Sequence, residues 1–227
     1  MILSDKQIKG LCLSDNPLIK PYCETKEVSK GVSYGQSSYG YDIRLGNVLK
    51  EIGQVKNKWG ESCTIIDPEN PDRVMWTKHT VEKVPFIIEP NTFVLAVSME
   101  EFNMPKNVTA LVKDKSTYAR IGIAVQNTVI EAGWKGYLTL EITNHSKYKV
   151  ALHPNTGIAQ VIFFKGDNCD NPYPTTGKYQ NQQSEPTPPQ ASTEDKLQEQ
   201  GSIRGEGSVQ DPVKDNRVDS NKKPRKR

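Results

Sequence analysis

From about residue 38 to residue 165 the chain repeats one pattern: a short run of alternating apolar and polar residues, then a break of Gly, Pro or Asn. "YDIRLG", "CTIID", "PFIIEPNTFVLAVS", "VTALVKD", "IGIAVQNTVI", "YLTLEITN", "KVALHP" and "IAQVIFF" follow one another with no long helical period between them. Alternation at a period of two turns one side of a strand into a core and the other out of it. Closely spaced strands of this kind pack as a sandwich or barrel, so the chain is expected to be all-β, with two additions. Residues 2–11 read as a short helix, with Ser4 or Asp5 as N-cap and Ile8 and Leu11 on one apolar stripe. Residues 50–80, which contain "DPENPD", read as a long hairpin excursion.

Several classes of function are excluded early. A net charge of +3 over 227 residues is too small to imply a polyanionic partner, so nucleic acid is not expected as a ligand. No window approaches the roughly 18 continuous apolar residues of a membrane span, and "MILSDKQIKG" does not read as a secretory signal. Cys12, Cys23, Cys63 and Cys169 lie far apart without a CxxC pair, which fits free thiols in a reducing cytoplasm. The zinc-dependent nucleobase deaminases need H-x-E and P-C-x-x-C to hold their metal and move a proton. The only histidines here are His79, His145 and His153, and none is followed two residues later by Glu. Hydrolysis by this chain is therefore expected to use side chains and ordered water, without zinc.

Past Tyr179 the composition changes. Residues 183–227 contain no aromatic residue and few apolar ones, too little to offset the entropy of ordering, so disorder is expected there. The last residues, "KKPRKR", form a basic cluster that reads as a solvated tail.

Four stretches concentrate chemistry: "SSYGYDIRLG" (37–46), "KDKSTYARIGI" (113–123), "NTVIEAGWKGYLTLEITN" (127–144) and "GKYQNQ" (177–182). The second packs Lys115, Ser116, Thr117 and Arg120 around Tyr118 and Ala119. Cations, hydroxyls and turn N–H groups suit either a phosphate cradle or a solvated basic turn. In the third, Leu138, Leu140 and Ile142 alternate with polar positions, and Glu141 interrupts a strand where Glu is disfavoured. It lies either on the solvent face or in a pocket.

Taken in order, these segments resemble the dCTP deaminases of the trimeric dUTPase-like superfamily over about residues 1–189. "MILSDKQI" is similar to the family's opening, "YGYDIRLG" to its first block and "KSTYARIGI" to its phosphate block. "AGWKGYLTLEITN" is similar to the catalytic strand, "IAQVIFF" to the last core strand, and "GKYQNQ…PTP" to a segment that folds over nucleotide. The resemblance implies an all-β, dUTPase-like barrel or jelly roll with a short N-terminal helix, a domain at 1–189 and a disordered tail at 190–227. It also implies a homotrimer whose sites lie at subunit interfaces.

The implied activity is hydrolytic deamination of dCTP to dUTP, supplying uracil nucleotides toward thymidylate. Glu141 would be the general acid/base, with Ser116 holding the attacking water and Arg120 near the carboxylate and phosphates. Lys115 to Arg120 form the phosphate block, and the backbone of Thr139 and Leu140 would read the base edge. Glu131 would meet the sugar hydroxyl, while Gln160, Tyr173, Lys178 and Gln182 would close on the triphosphate and its Mg2+. Three features depart from the family pattern: Glu131 stands where many relatives carry Asp, the connection from Gly122 to Trp134 is short, and Asn181 replaces a Gly. Two alternative readings are a bifunctional deaminase–dUTPase releasing dUMP and pyrophosphate, and a non-catalytic nucleotide-binding regulator.

Overall fold

The sixteen-residue strand β4 (Gly40–Val55) organises the molecule. Its first half carries "YDIRLG", with Tyr41, Ile43 and Leu45 essentially unexposed. It pairs there with β3 (Val32–Ser37) on one edge and β13 (Gly157–Lys165) on the other. Its second half pairs with β5 (Val74–Thr80) and β7 (Phe93–Asn103). The change of partners falls where pairing with β7 loses register between Leu45 and Leu49. Gly46 sits in that gap, and a Cβ there would lie 2.7 Å from Val97 Cγ1 and 2.8 Å from the Val97 carbonyl oxygen. Only glycine lets the two backbones approach so closely while the strand bends.

This is the fold of a computed structural model that describes residues 1–191. The disorder expected from residue 183 does not hold for residues 183–191, which are described and anchored, Glu185 pairing with Lys78 and the Thr187 N–H donating to Thr139 Oγ1. The rest of that stretch, with the "KKPRKR" cluster, lies outside the described residues. The main sheet runs β10 (Val129–Ile130), β8 (Val108–Asp114), β13, β4, β7, β11 (Lys135–Asn144), β9 (Ile123–Val125). Four further strands extend it, with β1 (Ile19–Lys20) on β7, β2 (Glu27–Ser29) on β3, and β3 and β5 on β4. A separate two-stranded pair joins β6 (Phe86–Ile88) to β12 (Val150–Leu152). Every named pairing is antiparallel, in keeping with the hairpin-length breaks in the sequence.

The bent sheet closes over a core whose largest fully buried side chains include Tyr41, Phe102, Phe163, Leu3, Ile8 and Leu18. Each large apolar side chain so buried contributes about 1.5–3 kcal/mol before entropy is counted. Helix α1 (Asp5–Cys12) follows the N-cap Ser4, whose N–H donates to Gln7 Oε1 at 3.0 Å. Ile8 and Cys12, one turn apart, face the core, while Leu11 is only partly covered.

The all-β expectation holds, as does the hairpin excursion: β4 and β5 pair from Val48–Thr80 to Val55–Val74. One expected strand is absent. "CTIID" (63–67) lies in the connection between β4 and β5, with Ile65 75% and Ile66 50% exposed. Asp67 takes the chain into a turn there, accepting from the Glu69 N–H at 3.0 Å and from Asn70 Nδ2 at 2.7 Å. A short β-branched run needs a neighbouring edge, and nothing beyond an isolated Lys56–Ser62 bridge supplies one. The four cysteines are free, and no helix among the described residues is long and apolar enough to cross a membrane.

Candidate active site

Strand β11 runs beside β7 along most of its length and beside β9 only from Ile142 to Asn144. Leu140 and Ile142 are wholly buried in the core. Thr139 and Glu141 alternate with them and line a cavity of about 400 Å3. Leu138 joins the same wall at the register shift between Tyr137 and Thr139. Leu95, directly opposite Glu141 on β7, and Phe93 supply apolar surface, and Trp134 and Ile130 add more. The volume lies within the range of about 300–1,000 Å3 typical of small-molecule sites.

This setting determines the chemistry of Glu141. Burial pushes its pKa up from 4.5 to about 7, opposed only in part by a hydrogen bond from its own backbone N–H. Its Oε2 is buried without a hydrogen-bond partner. Among the described residues only two other buried side-chain polar atoms share that condition, Asn127 Oδ1 and Trp76 Nε1. All three residues line this one cavity. Buried polar groups are nearly always paired, so three unpaired ones converging on one space mark a place built for a polar ligand.

A strap formed by residues 173–187 lies over the cavity. Trp134 Nε1 donates to the Tyr179 carbonyl at 2.7 Å, and the Tyr137 N–H to the Gln182 carbonyl at 3.0 Å. Thr139 Oγ1 donates to Gln182 Oε1 and accepts from the Thr187 N–H, both at 2.9 Å. Gly136 pairs with Gln182, and a Cβ at that glycine would lie 2.6 Å from the Gln182 nitrogen. Asn181 adopts φ +58°, the positive φ that Asn tolerates better than most residues.

Of the residues singled out in the sequence, Glu131, Thr139, Glu141, Tyr173 and Gln182 line this cavity. Leu140, wholly buried in the core, is not among the residues that line it. Lys178 lies across the strap in a shallower cavity of about 370 Å3 with Lys50 and Glu185, and Gln182 lines both spaces. The block from Lys115 to Arg120 lines neither. Helix α2 (Ser116–Ala119) follows β8 and exposes Ser116, Thr117, Ala119 and Arg120, while Tyr118 is buried with its hydroxyl 3.4 Å from Thr156 Oγ1. Lys115 Nζ donates to the buried Asp42 at 2.5 Å. Gln160 lies opposite Asp42 and Lys113 on β13, so it belongs to this second, cationic corner.

The sequence reading missed Asn127, Trp76 and Trp134. Asn127 and Trp134 fall within a quoted stretch but carry no periodic signal. Asn127 is tied by Nδ2 to the Thr139 carbonyl at 2.7 Å, a contact from a connection to β11 that no local pattern announces. Trp76 arrives from the excursion strand β5, whose register with β4 places it opposite Ile52.

Residues 2–166 match the model of the dCTP deaminase-like family, and the chain belongs to that family. The dCTP deaminase of Acidobacterium capsulatum is 43% identical over 185 residues, spanning 80% of this chain and 95% of that protein. The dCTP deaminase of Helicobacter pylori strain G27 is 44% identical over 183 residues, 79% of this chain and 93% of that one. The crystal structure of 2'-deoxycytidine 5'-triphosphate deaminase from Agrobacterium tumefaciens superposes with a TM-score of 0.51 at 20% identity. The match covers 73% of this chain and 48% of that one, and it shows a shared fold.

Proposed function

We propose that this chain hydrolyses dCTP to dUTP and ammonia, with Glu141 as the proton carrier. The observation that carries the reading is a carboxylate in an apolar cavity, with one unpartnered buried oxygen and a pKa near 7. A general acid/base works best when its pKa lies close to the working pH. Glu141 takes a proton from water as the oxygen attacks C4, and delivers it to N3. The resulting tetrahedral adduct then loses the C4 amino group, which takes up the hydroxyl proton through the same carboxyl and leaves as ammonia. Membership of a family whose relatives are dCTP deaminases supports this reading over the non-catalytic one.

A triphosphate cannot be buried among Phe93, Leu95 and Trp134, so its charge must lie outside the apolar part of the cavity. We assign it to the cationic block, with Ser116 holding the water, Arg120 beside the carboxylate, and Lys115, Thr117, Tyr118 and Ala119 shaping the turn. Because that block does not line the cavity of its own chain, we infer a homotrimer in which a second copy supplies it. The backbone of Thr139 and Leu140 meets the base edge, Glu131 the sugar, and Gln160, Tyr173, Lys178 and Gln182 the phosphates. Among the described residues no three His, Cys, Asp or Glu side chains gather to hold a metal. That fits Mg2+ carried chiefly by phosphate oxygens and water, where it neutralises phosphate charge. We further assign the catalytic domain to residues 1–189 and the protein to the cytoplasm, where four free thiols persist.

The test is direct. Purified protein is incubated with dCTP and Mg2+, and dCTP, dUTP and dUMP are separated by chromatography. The expected result is dUTP and ammonia in equal amounts. An absence of turnover overturns the reading, and dUMP appearing in step with ammonia replaces it with the bifunctional one.

A further inference from the structure

Asn127 lies just beyond β9 and reaches back to β11. The Gln126 N–H donates to the Glu141 carbonyl at 2.7 Å, so Asn127 begins one residue from the point where the chain is tied to Glu141. Its Nδ2 donates to the Thr139 carbonyl at 2.7 Å. An amide oxygen at that distance from another carbonyl oxygen would be repelled, so the nitrogen faces Thr139 and Oδ1 faces away. Oδ1 is buried without a partner, on a residue that lines the same cavity as Glu141. Around neutral pH a primary amide oxygen is only an acceptor. A carboxyl that titrates near neutrality can present either a donor or an acceptor.

Resting on the deaminase reading, we propose that Asn127 Oδ1 accepts a hydrogen bond from the exocyclic amino group on C4, making Asn127 a specificity-determining residue for cytosine over uracil. Cytosine offers an N–H donor at that position, whereas uracil offers an oxygen acceptor. Opposite Oδ1, the amino group satisfies a buried acceptor, while a carbonyl leaves two acceptors facing each other unpaired. Glu141 cannot make this distinction alone, because it can donate to N3 of cytosine or accept from N3–H of uracil. Asn127 therefore favours substrate before the reaction and disfavours product after it.

The experiment measures KM for dCTP and the inhibition constant of dUTP with the full chain, alongside Asn127→Leu and the smaller Asn127→Ala, each checked for folding by thermal melting. The wild type is expected to hold dUTP at least about tenfold more weakly than dCTP, and a folded variant to lose about tenfold of that preference. A preference unchanged within twofold in a folded variant overturns the proposal. If neither variant folds, the wild type decides: a dUTP inhibition constant equal to KM for dCTP overturns it, and a weaker hold on dUTP supports it. Failure of the deaminase reading is seen separately, as no ammonia released from dCTP by the wild type, and calorimetry with dCTP and dUTP then measures the two affinities.

Discussion

The cavity beside β11 and the corner around α2 hold opposite kinds of chemistry. The first is built by burial: Leu95, Phe93, Trp134 and Leu138 withdraw Glu141 from water and raise its pKa to about 7. The second is built by exposure, with Ser116, Thr117 and Arg120 on the surface of a four-residue helix. Its one strongly held cation, Lys115, is locked to Asp42. A nucleoside triphosphate needs both settings, an apolar slot for the base and cations for the phosphates. The two are built from different parts of the sheet and do not line one cavity, which is why each site is read as a joint product of two copies.

The largest effect is expected at the buried end. Glu141→Gln should lower dCTP turnover by about a thousandfold while nucleotide still binds, because an amide cannot carry a proton. Radiolabelled dCTP conversion and equilibrium binding check the two halves. The same variant should also be more stable. The folded state holds the Glu141 proton more tightly than the unfolded chain does, with a pKa of about 7 against 4.5. The contribution of this carboxyl is therefore fully favourable below pH 4.5 and is lost as pH rises through 7. Above that, ionised Glu141 costs the fold on the order of 3 kcal/mol. Glu141→Gln should then melt higher than wild type at pH 8 and no higher at pH 4, by calorimetry. Equal melting at both would mean the cavity is wetter than its lining indicates.

The next effect addresses the separation of the two ends. Glu141→Gln and Arg120→Ala should each be nearly inactive alone. Co-expressed in equal amounts, they should restore about a quarter of the sites if the carboxylate and the cation come from different copies. If both came from one chain, no complete site could form and activity would stay at the level of the single variants. Size-exclusion chromatography with light scattering confirms that mixed oligomers are present.

How far these two regions could be read in advance differs for physical reasons. Strand β11 was legible because a period of two survives burial on one side, and Leu140 and Ile142 behave accordingly. That Glu141 enters a cavity was not in the period, which is equally satisfied by a solvent face; the resemblance across six segments singled it out. The α2 block was visible as composition, but where its cations sit relative to Glu141 depends on sheet order and on other copies. Asn127 and Trp76 were invisible, since their roles rest on single tertiary contacts. "CTIID" misled because β-branched residues favour a strand only where an edge awaits them, and in the excursion none does. Gly46 sits in a quoted motif, yet its reason, the approach of Val97, belongs to tertiary structure.

The smallest expected effects concern the strap over the cavity. Its inner side closes the apolar cavity through Tyr173, Tyr179 and Gln182. Its outer side is held by charge, Glu185 pairing with Lys78 and, at 3.5 Å, with Lys50. The hydrogen bond from Lys78 is the main reason the Glu185 carboxyl titrates below its usual range. A chain ending at Pro172 loses both sides and should raise KM for dCTP about tenfold, as expected when several hydrogen bonds of roughly 1 kcal/mol each and an apolar wall go together. A chain ending at Ala191 keeps every contact described above and should match the full chain within about twofold. Between them lies Glu185→Gln, which removes one exposed ion pair with Lys78, worth about 0–1 kcal/mol, and one long, part-buried pair with Lys50. It should raise KM by no more than about threefold, and less still at high salt. If Glu185→Gln proved as damaging as the truncation at Pro172, the strap would be held by its charges, and its hold on the base cavity through Thr139 and Gly136 would count for little.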